Sequence, residues 1–398
     1  MPNTFVNASA VSREFLRVLR SNTPFLNSID RQYNNDVKAG SVKHGGTIAI
    51  RKPTEFAVRS GAVANVQNIT ATSQNLTVAT QEGIDCVISS QQMKLNLDDL
   101  SKEVISPAAA RLAARLESAA MVGMYKKVWQ SVGTPGTAPA TALVWLQAAG
   151  KLDASLAPRD GQRTAILTPQ GQAATVAGLS ALFNPNSKIG KQYNDGTMGE
   201  ALGLNFKLGQ LAPTHTCGSR DNTTPLVKGA GQTGASLIID GDTEANTITA
   251  GDVFTIAGVY AVNQDKQSTG ELMQFTVVTA AAFGASDVTL TISPAIVTSG
   301  ATQNVSAGPG NDAAITWLGS ASTAYPQNLV FHKDAFTLAT VDLDIPSGLH
   351  YASREVLDGV SLRVLGDYDI INDRYIMRFD ILYGFLAQRP ELAVRVWG

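Results

Sequence analysis

The stretch from about residue 222 to residue 320 constrains the fold of this chain more than any other, because it carries no helical periodicity. Within it, apolar and polar side chains alternate in short runs, separated by turns rich in Gly, Asp and Asn. The clearest runs contain Met273, Phe275 and Val277, and then Val288, Leu290 and Ile292. Short strands at this spacing predict a small barrel or sandwich that closes on itself, with one side of each strand buried.

Before this stretch, the sequence predicts one long α-helix. Ser106 and Pro107 favour a helix start, because a Ser side chain caps free N–H groups and Pro has no N–H that would need a partner. The helical periodicity continues to Gly133, which predicts a helix roughly 40 Å long. The residues of its narrow apolar stripe are Leu112, Leu116, Ala120 and Met124.

The segments on both sides of the β stretch are typical of mixed α/β structure. A strand is predicted at Thr164–Leu167, a helix start at Thr168–Pro169, and a second strand at Leu204–Leu208. The mixed pattern resumes over 328–346, so the β stretch is predicted to be an insertion in one discontinuous domain. Near the end of the sequence, two long strands are predicted around a turn at Asn372–Asp373, and the last strand is expected to lie deep in a sheet.

The beginning of the sequence predicts an arm followed by an extended hairpin. A helix is predicted before Thr23–Pro24, with apolar residues at helical spacing: Phe15, Leu16, Val18 and Leu19. Strands are then predicted at Thr47–Arg51 and Asn75–Val78, with a stretch rich in Gly, Ser, Asn and Gln between them. Charged residues concentrate on the first limb of this hairpin, at Arg51, Lys52, Glu55 and Arg59.

The overall composition excludes several classes of protein. The formal net charge is -2, so the chain lacks the basic surface that a dedicated nucleic-acid-binding protein needs. No signal peptide and no apolar run long enough to span a bilayer is visible, and two cysteines (Cys86 and Cys217) fit a reducing compartment. We therefore expect a soluble, cytoplasmic protein. Charged residues make up only 16%, which suits a chain that buries much of its surface against copies of itself.

Two histidines are candidates for a catalytic or metal-binding site. His332 and Asp334 could form a base and its orienting carboxylate, but residues at i and i+2 point apart on a helix, and no nucleophile motif accompanies them. A solvated segment at the start of a helix is the favoured interpretation. His215 and Cys217 could supply two metal ligands, but a zinc site needs about four, and no second Cys/His pair is present.

Three acidic residues near the last turn, Asp367, Asp369 and Asp373, could hold a hard cation. The surrounding loop lacks the glycine and distal glutamate of an EF-hand, so these carboxylates are predicted to cap turns. No phosphate-binding glycine motif occurs, and the four tryptophans are scattered, which predicts packing in cores or interfaces. We therefore expect no catalytic, cofactor-binding or metal-binding residues.

Four runs carry a resemblance to a known family: "ILTPQGQAATVAGLSALF", "MGEALGLNFKLGQ", "FHKDAFTLAT" and, most distinctively, "RFDILYGFLAQRPELAVRV". Together with the order of the predicted elements, they make the chain similar, over essentially its whole length, to the major capsid proteins of tailed bacteriophages. More narrowly, it resembles the coat proteins of the P22 type, whose hallmark is an insertion domain.

The resemblance implies an α+β, HK97-like capsid fold with an inserted small all-β barrel domain. The implied parts are an N-terminal arm (1–44), an extended loop or E-loop (45–80), a P-domain with the spine helix (81–135), the first part of an α/β A-domain (136–221), the inserted barrel (222–322), and the remainder of the A- and P-domains (323–398).

The implied function is that of a major capsid protein of a tailed double-stranded DNA bacteriophage, which is not an enzyme. Such proteins self-assemble as hexamers and pentamers into an icosahedral shell around the genome, and they need no cofactor. The implied partners are other copies of the chain, a scaffolding protein, a portal, loosely contacted DNA and a decoration protein, with no membrane. The implied location is the virion, after assembly in the cytoplasm of the bacterial host.

The resemblance also implies which residues contact neighbouring subunits. The E-loop is expected to lie over the adjacent subunit, where Arg51, Lys52, Glu55 and Arg59 would pair with opposite charges. The inserted barrel is expected to act as a folding nucleus and stabiliser. Its loop "IIDGDTEAN" is the candidate for reaching a neighbour across a twofold contact, with acidic residues Asp240, Asp242 and Glu244.

Two alternatives remain at the level of the sequence. A cellular compartment shell on the same fold, of the encapsulin kind, would enclose an enzyme rather than DNA. A hydrolase or binding protein with a β appendage would need a pocket with perturbed titratable groups, for which the sequence offers no candidate set.

Overall fold

The structure of the chain, a computed structural model, describes residues 8–32, 46–54, 56, 58, 61–64, 66, 68, 72–89, 101–179, 196, 198–221, 225–241, 245–284, 287–349, 351–372 and 374–398. The chain forms two compact units, each built from segments that are far apart in sequence. Unit 1 contains Met1–Ile50, Ser73–Ala120 and Phe336–Gln388, and unit 2 contains Arg51–Thr72, Met121–Ala335 and Arg389–Gly398.

Among the described residues, strands account for most of the regular secondary structure. The α-helices among the described residues are α1 (Ala8–Ser21), α2 (Ser106–Tyr125), α3 (Ala142–Ala154) and α4 (Pro169–Leu179). The strands are β1 (Thr47–Arg51), β2 (Ser73–Thr77), β3 (Thr80–Ser89), β4 (Ser131–Val132), β5 (Arg163–Leu167), β6 (Glu200–Ala201), β7 (Leu204–Leu208), β8 (Thr214–Thr216), β9 (Leu226–Val227), β10 (Gly234–Asp240), β11 (Thr247–Ile248), β12 (Val253–Val262), β13 (Ser268–Val277), β14 (Ala281–Ala282), β15 (Val288–Ile296), β16 (Ile315–Trp317), β17 (Ala324–His332), β18 (Phe336–Val341), β19 (Tyr351–Leu357), β20 (Val360–Asp369), β21 (Arg374–Ala387) and β22 (Ala393–Trp397). None of the described helices has the length and apolar character needed to cross a membrane.

The core of unit 1 is an antiparallel sheet centred on β21, which pairs with β3, β18 and β20, while β19 pairs with β20. The predicted turn between β20 and β21 is present. Helix α1 packs its apolar face in this unit, where the ring of Phe15 stacks on that of Phe379 with centroids 4.6 Å apart. The residues predicted from helical spacing are all buried: Phe15, Leu16, Val18 and Leu19.

Helix α2 is shorter at one end than its periodicity predicts, and helical structure begins earlier at the other. A π-helical turn over Ser101–Ile105 precedes it, and it ends at Tyr125 rather than at Gly133. With 20 residues, it is about 30 Å long. The helix stops because Ser131 and Val132 instead pair in parallel with the last strand, β22, so that tertiary pairing overrides local helical preference. The residues of the predicted apolar stripe are all buried: Leu112, Leu116, Ala120 and Met124.

Unit 2 contains a mixed sheet in the order β4-β22-β17-β5-β7-β6, with β8 paired to β17. The β22–β4 and β5–β7 pairs are parallel. Every residue of β22 is buried, so the prediction that the last strand lies deep in a sheet is confirmed. Helix α3 lies against this sheet through Trp145, whose ring meets Phe206 of β7 edge-on with centroids 5.3 Å apart.

The β stretch of unit 2 forms a six-stranded sheet in the order β16-β12-β13-β15-β10-β9. Its two outer strands approach each other: the N–H of Val227 donates to the carbonyl of Ala313, and the N–H of Asp312 donates to the carbonyl of Val227, at 3.1 and 2.9 Å. The stretch has its own apolar core, made of side chains from β9 to β16 that include Phe254, Phe275 and Leu290.

Strand β15 has the predicted alternation, since Val288, Leu290 and Ile292 are buried and the residues between them are more exposed. On β13 the predicted buried face is confirmed by Phe275 and Val277, but the prediction of a solvated opposite face is wrong, because Thr276 is as fully buried as Val277 beside it. The Thr276 hydroxyl donates to the carbonyl of Lys126 at 3.1 Å, so another part of unit 2 covers the face that was expected to be solvated.

Helix α2 carries a buried carboxylate in unit 1, that of Glu117. The Glu117 side chain is 2% exposed, and its Oε1 accepts the N–H of Phe25 at 3.2 Å. Its Oε2 finds no hydrogen-bond donor among the described residues. Burial raises the pKa of Glu117 to about 7, against the smaller lowering effect of the Phe25 N–H.

We predict that Glu117→Gln stabilises the protein at pH 8 and has little effect at pH 5. Because the folded-state pKa lies above that of the unfolded chain, stability from the neutral carboxyl is full below about pH 4.5 and is lost as the pH rises through 7. The gain at pH 8 should be on the order of 3 kcal/mol. Urea or thermal unfolding at both pH values measures it, with Glu103→Gln, an exposed position, as the control. An equal effect at pH 5 and pH 8 would contradict the assignment.

Candidate subunit interface and its buried anchor

The predicted extended hairpin begins with β1 and β2, which pair with each other. The base of the hairpin is buried in the core of unit 1, where Ile50 and Leu76 pack with Leu382. Beyond the base, the N–H of Lys52 donates to the carbonyl of Thr72 at 2.8 Å and continues the two-stranded pairing. Of the charged residues proposed for contacts, Arg51 is exposed and Lys52 is half-buried, whereas Glu55 and Arg59 lie outside the described residues.

The stretch from residue 51 to residue 72, which we call the arm, exposes large apolar side chains that the sequence reasoning missed. The exposed fractions are 60% for Phe56, 96% for Val58, 85% for Val63 and 89% for Val66. Clustered apolar exposure on a soluble chain marks a surface that contacts another protein. The signal is present in the sequence as the alternation in "FAVRSGAVANV", but the same alternation is expected of a strand with one buried face.

The second set of predicted contact residues lies at the end of β10. Asp240 is half-buried, and its backbone pairs with Leu226 of β9. Asp242 and Glu244 lie outside the described residues. The structure therefore places only the start of the acidic loop, at the edge of the six-stranded sheet.

A fully buried carboxylate, that of Asp252, connects the β stretch to the rest of unit 2. Its Oδ2 accepts Nη1 of Arg220 at 2.9 Å, and its Oδ1 accepts Nε2 of His215 at 2.9 Å. The backbone N–H groups of Thr249 and Gly218 also donate to Oδ2, at 2.9 and 3.3 Å. With four donors, this buried charge is both paired and hydrogen-bonded, as a buried charge must be.

His215 is held in its neutral form within this cluster. The Tyr125 hydroxyl lies 3.1 Å from Nδ1 and donates to it, so the proton of the ring is on Nε2 and points at Asp252. Burial lowers the pKa of His215, and the guanidinium of Arg395 lowers it further, while the hydrogen bond with Asp252 opposes both effects. The imidazole therefore contributes a hydrogen bond rather than a charge near neutral pH.

Cys217 lies in the same cluster, and its thiol donates to the carbonyl of Leu318 at 3.8 Å. The ligand atoms of His215, Cys217 and Asp252 lie within 4.8 Å of one another, so the structure adds a third group to the pair noted in the sequence. Both nitrogens of His215 are already hydrogen-bonded, and the carboxylate of Asp252 already forms an ion pair with Arg220. A divalent cation would also meet two guanidinium groups here, so the arrangement fits a hydrogen-bond network better than a metal centre.

The second guanidinium is that of Arg395 on β22, which is completely buried. Its Nη1 donates to the carbonyl of Gly251 at 2.7 Å. Its central carbon lies over two aromatic rings, those of Tyr125 and Trp397, at 5.3 and 5.1 Å from the centroids. Burial lowers the pKa of Arg395 to about 10. The cluster thus joins the end of α2, β8, the start of β12 and the last strand.

The remaining candidate residues have structural contacts. His332 is buried at the end of β17, and its Nε2 lies 3.2 Å from Asp160. Asp334 is exposed as predicted, but it follows in a 3₁₀ turn rather than an α-helix, and its carboxylate lies 3.5 Å from Nδ1 of His332, so the prediction that the two side chains point apart is wrong. Asp369 accepts the N–H of Ile371 and the amide of Asn372, so it caps the turn as expected. Asp367 accepts the N–H of Tyr368, and Asp373 lies outside the described residues. The tryptophans are buried, in agreement with their predicted packing role.

Comparison with known proteins identifies the family. A family model described as "P22 coat protein - gene protein 5" matches residues 7–398, nearly the whole chain. The chain belongs to this family of phage coat proteins. It is a bacteriophage major capsid protein, a structural protein whose copies form the virion shell, and a cellular compartment shell is not favoured.

Several solved structures are similar to the chain at low sequence identity. A structure titled "Mycobacterium phage Che8" has 12% identity and a TM-score of 0.48, with 94% of this chain and 90% of that chain covered. The capsid of cyanophage P-SCSP1u has 12% identity and a TM-score of 0.42, with coverages of 89% and 84%. A virus-like particle from Pyrococcus furiosus has 7% identity and a TM-score of 0.42, with 98% of both chains covered. No curated protein matches the chain.

We predict that Asp252→Asn destabilises unit 2 by about 3–5 kcal/mol, because the variant leaves the Arg220 guanidinium buried without its counter-charge. The exposed ion pair between Lys228 and Asp287 provides the control, and Asp287→Asn should cost less than about 1 kcal/mol. Urea unfolding followed by tryptophan fluorescence compares the two, since Trp317 and Trp397 lie beside the cluster. Equal, small losses for both variants would show that Asp252 does not anchor the unit.

Proposed function

We propose that this chain assembles as hexamers and pentamers into an icosahedral shell that encloses a double-stranded DNA genome, and that it catalyses no reaction. The observation that carries the proposal is the family match over residues 7–398. The exposed apolar arm supports it, because a subunit that must bind copies of itself needs such surfaces.

The organisation that we propose is HK97-like, with the six parts expected from the sequence. In support, helix α2 has the buried stripe of a spine helix, and the hairpin base β1–β2 leads into an exposed arm. We also propose that residues 222–322 form the inserted barrel and stabilise the subunit. Their separate apolar core, and the hydrogen bonds of Val227 between the two outer strands, support a closed module.

The arm is proposed to lie over the adjacent subunit. Burying the side chains of Phe56, Val58, Val63 and Val66 would contribute about 1.5–3 kcal/mol each, before the conformational entropy that a contact costs is subtracted. Each arm contact is therefore modest, and a closed shell repeats it many times, so that wrong contacts can dissociate during assembly. The position of the arm is proposed to be set by charge pairing of Arg51, Lys52, Glu55 and Arg59 with the adjacent subunit. Exposed ion pairs of this kind add little affinity by themselves.

The further partners that we propose are a scaffolding protein, a portal, packaged DNA and a decoration protein, with assembly in the cytoplasm of the bacterial host. The formal net charge of -2 fits loose contact with DNA, because tight phosphate binding requires a basic surface. The acidic residues Asp240, Asp242 and Glu244 are proposed to contact a neighbouring subunit. Exchanging the two Asp residues for Asn and the Glu residue for Gln should lower the yield of shells. An unchanged yield would show that these side chains do not contribute to a contact between subunits.

We predict that the purified chain forms closed particles of uniform size, alone or after addition of the scaffolding protein. Negative-stain electron microscopy and sedimentation measure this directly. Irregular spirals or monomers without scaffold agree with the proposal only if scaffold converts them to closed particles. A small oligomer of fixed size that stays unassembled when scaffold is present would overturn it.

We predict that Val58→Asp combined with Val66→Asp lowers the yield of shells at least tenfold, because each charge would have to be buried at the contact. Arg51→Glu combined with Lys52→Glu should have a smaller effect that weakens with salt. The matched control, Val58→Leu with Val66→Leu, keeps the apolar surface and should assemble normally. Circular dichroism checks that each variant is folded. Normal assembly of the Asp variant would exclude the arm as an apolar contact.

A further inference from the structure

One edge of the Arg395 guanidinium, formed by Nε and Nη2, has no hydrogen-bond acceptor among the described residues. Its Nη1 donates to the carbonyl of Gly251, whereas Nε and Nη2 find no hydrogen-bond acceptor among the described residues. These two atoms form the side-on fork of an arginine, whose parallel N–H bonds fit a single anion or a carboxylate. Because Arg395 is 0% exposed, bulk water does not reach this fork.

The directions from which a ligand can approach are limited by the two aromatic rings. The central carbon of the guanidinium lies over the rings of Tyr125 and Trp397, 5.3 and 5.1 Å from their centroids, so these rings take up part of the space around the group. Other buried N–H groups in unit 2 also lack an acceptor within the described part of the chain. Three more N–H groups without an acceptor among the described residues are those of Arg220 Nε, Trp317 Nε1 and Trp397 Nε1.

The charges of the cluster do not balance. Arg220 and Arg395 carry two positive charges, and the carboxylate of Asp252 carries one negative charge and already pairs with Arg220. Burial lowers the pKa of His215, so the ring adds no charge near neutral pH; its Nε2 donates to Asp252 and its Nδ1 accepts the Tyr125 hydroxyl. Burial raises the pKa values of Tyr125 and of the Cys217 thiol, so neither supplies a negative charge near neutral pH. One positive charge therefore remains uncompensated in a buried site.

We propose that the Nε and Nη2 edge of Arg395 binds a small monovalent anion, chloride under cellular conditions. A water molecule would satisfy the two N–H groups but would leave the positive charge, and a divalent cation would be repelled. A chloride-sized anion meets both requirements, since it accepts several N–H bonds and balances the second guanidinium. A bound anion would stabilise the packing of the last strand against Tyr125 and Gly251. This proposal does not depend on the proposed assembly of the chain into shells.

The test is the thermal stability of the full-length chain at constant ionic strength, with sodium gluconate replaced stepwise by sodium chloride. The unfolding midpoint of the wild-type protein should rise by about 2 °C or more and then saturate, as expected for a ligand that binds only the folded state. Sodium bromide should act similarly. A midpoint that is the same in gluconate and in chloride would overturn the proposal.

Two variants assign the effect to the fork. Arg395→Met should abolish the chloride dependence, because it removes both N–H groups and the charge. The control is Arg163→Lys, at another buried arginine whose Nε and Nη2 already donate to Pro158, Asp153 and Ala157, and this variant should keep the dependence. A chloride response of Arg395→Met equal to that of the wild type would place the anion elsewhere and refute the assignment.

If Arg395→Met does not fold, a direct measurement on the wild-type chain decides. Crystals soaked in bromide should show an anomalous density peak within hydrogen-bond reach of both Nε and Nη2 of Arg395. Density without anomalous signal at this position would indicate water, and a carboxylate from the chain at this position would indicate an internal partner. Either result would overturn the anion site.

Discussion

The buried charge of Asp252 is the interaction on which the organisation of unit 2 depends. The carboxylate is reached by Arg220 and His215, and His215 is in turn fixed by Tyr125 at the end of helix α2. These residues come from segments that are far apart in the chain, and the hydrogen bonds to Asp252 form only when all segments are in place. Such a network adds little net stability compared with apolar packing, but it penalises any arrangement in which one partner is displaced. It therefore fixes how the β stretch is attached to the mixed sheet within this unit.

A shell subunit combines this internal rigidity with weak external contacts. The arm exposes Phe56, Val58, Val63 and Val66 on a chain of which only 16% is charged, so apolar contact rather than ion pairing dominates what it offers to a neighbour. By contrast, its base is held by Ile50 and Leu76 in the core of unit 1. A rigid base and an exposed apolar stretch suit a contact that is formed late, after the subunit has folded, and that is strong only when it is repeated around a closed particle.

Both units also contain ionisable groups that oppose folding. Glu117 is a buried acid with one oxygen lacking a donor among the described residues, and Arg395 is a buried base with one edge lacking an acceptor among them. Groups of this kind lower stability unless a proton or a ligand compensates them. Their stability contributions therefore depend on solution conditions, through pH for Glu117 and through the anion present for Arg395, while the apolar cores around them do not change.

The sequence by itself determined the local elements and the family. The periodicity around Phe15 predicts α1, the Thr168–Pro169 signal predicts the start of α4, and the alternation at Val288 predicts β15, because these patterns depend only on neighbours in the chain. Tertiary structure decided the rest. Helix α2 ends at Tyr125 because residues 131 and 132 pair with β22, and Thr276 is buried because Lys126 covers it. The alternation of the arm could not reveal that its apolar side chains are exposed, since periodicity does not say what covers a face. For the same physical reason, the sequence showed only the neighbouring His215 and Cys217 of the Asp252 cluster: Tyr125, Arg220, Asp252 and Arg395 are single residues without a local pattern, brought together only by the packing of distant segments.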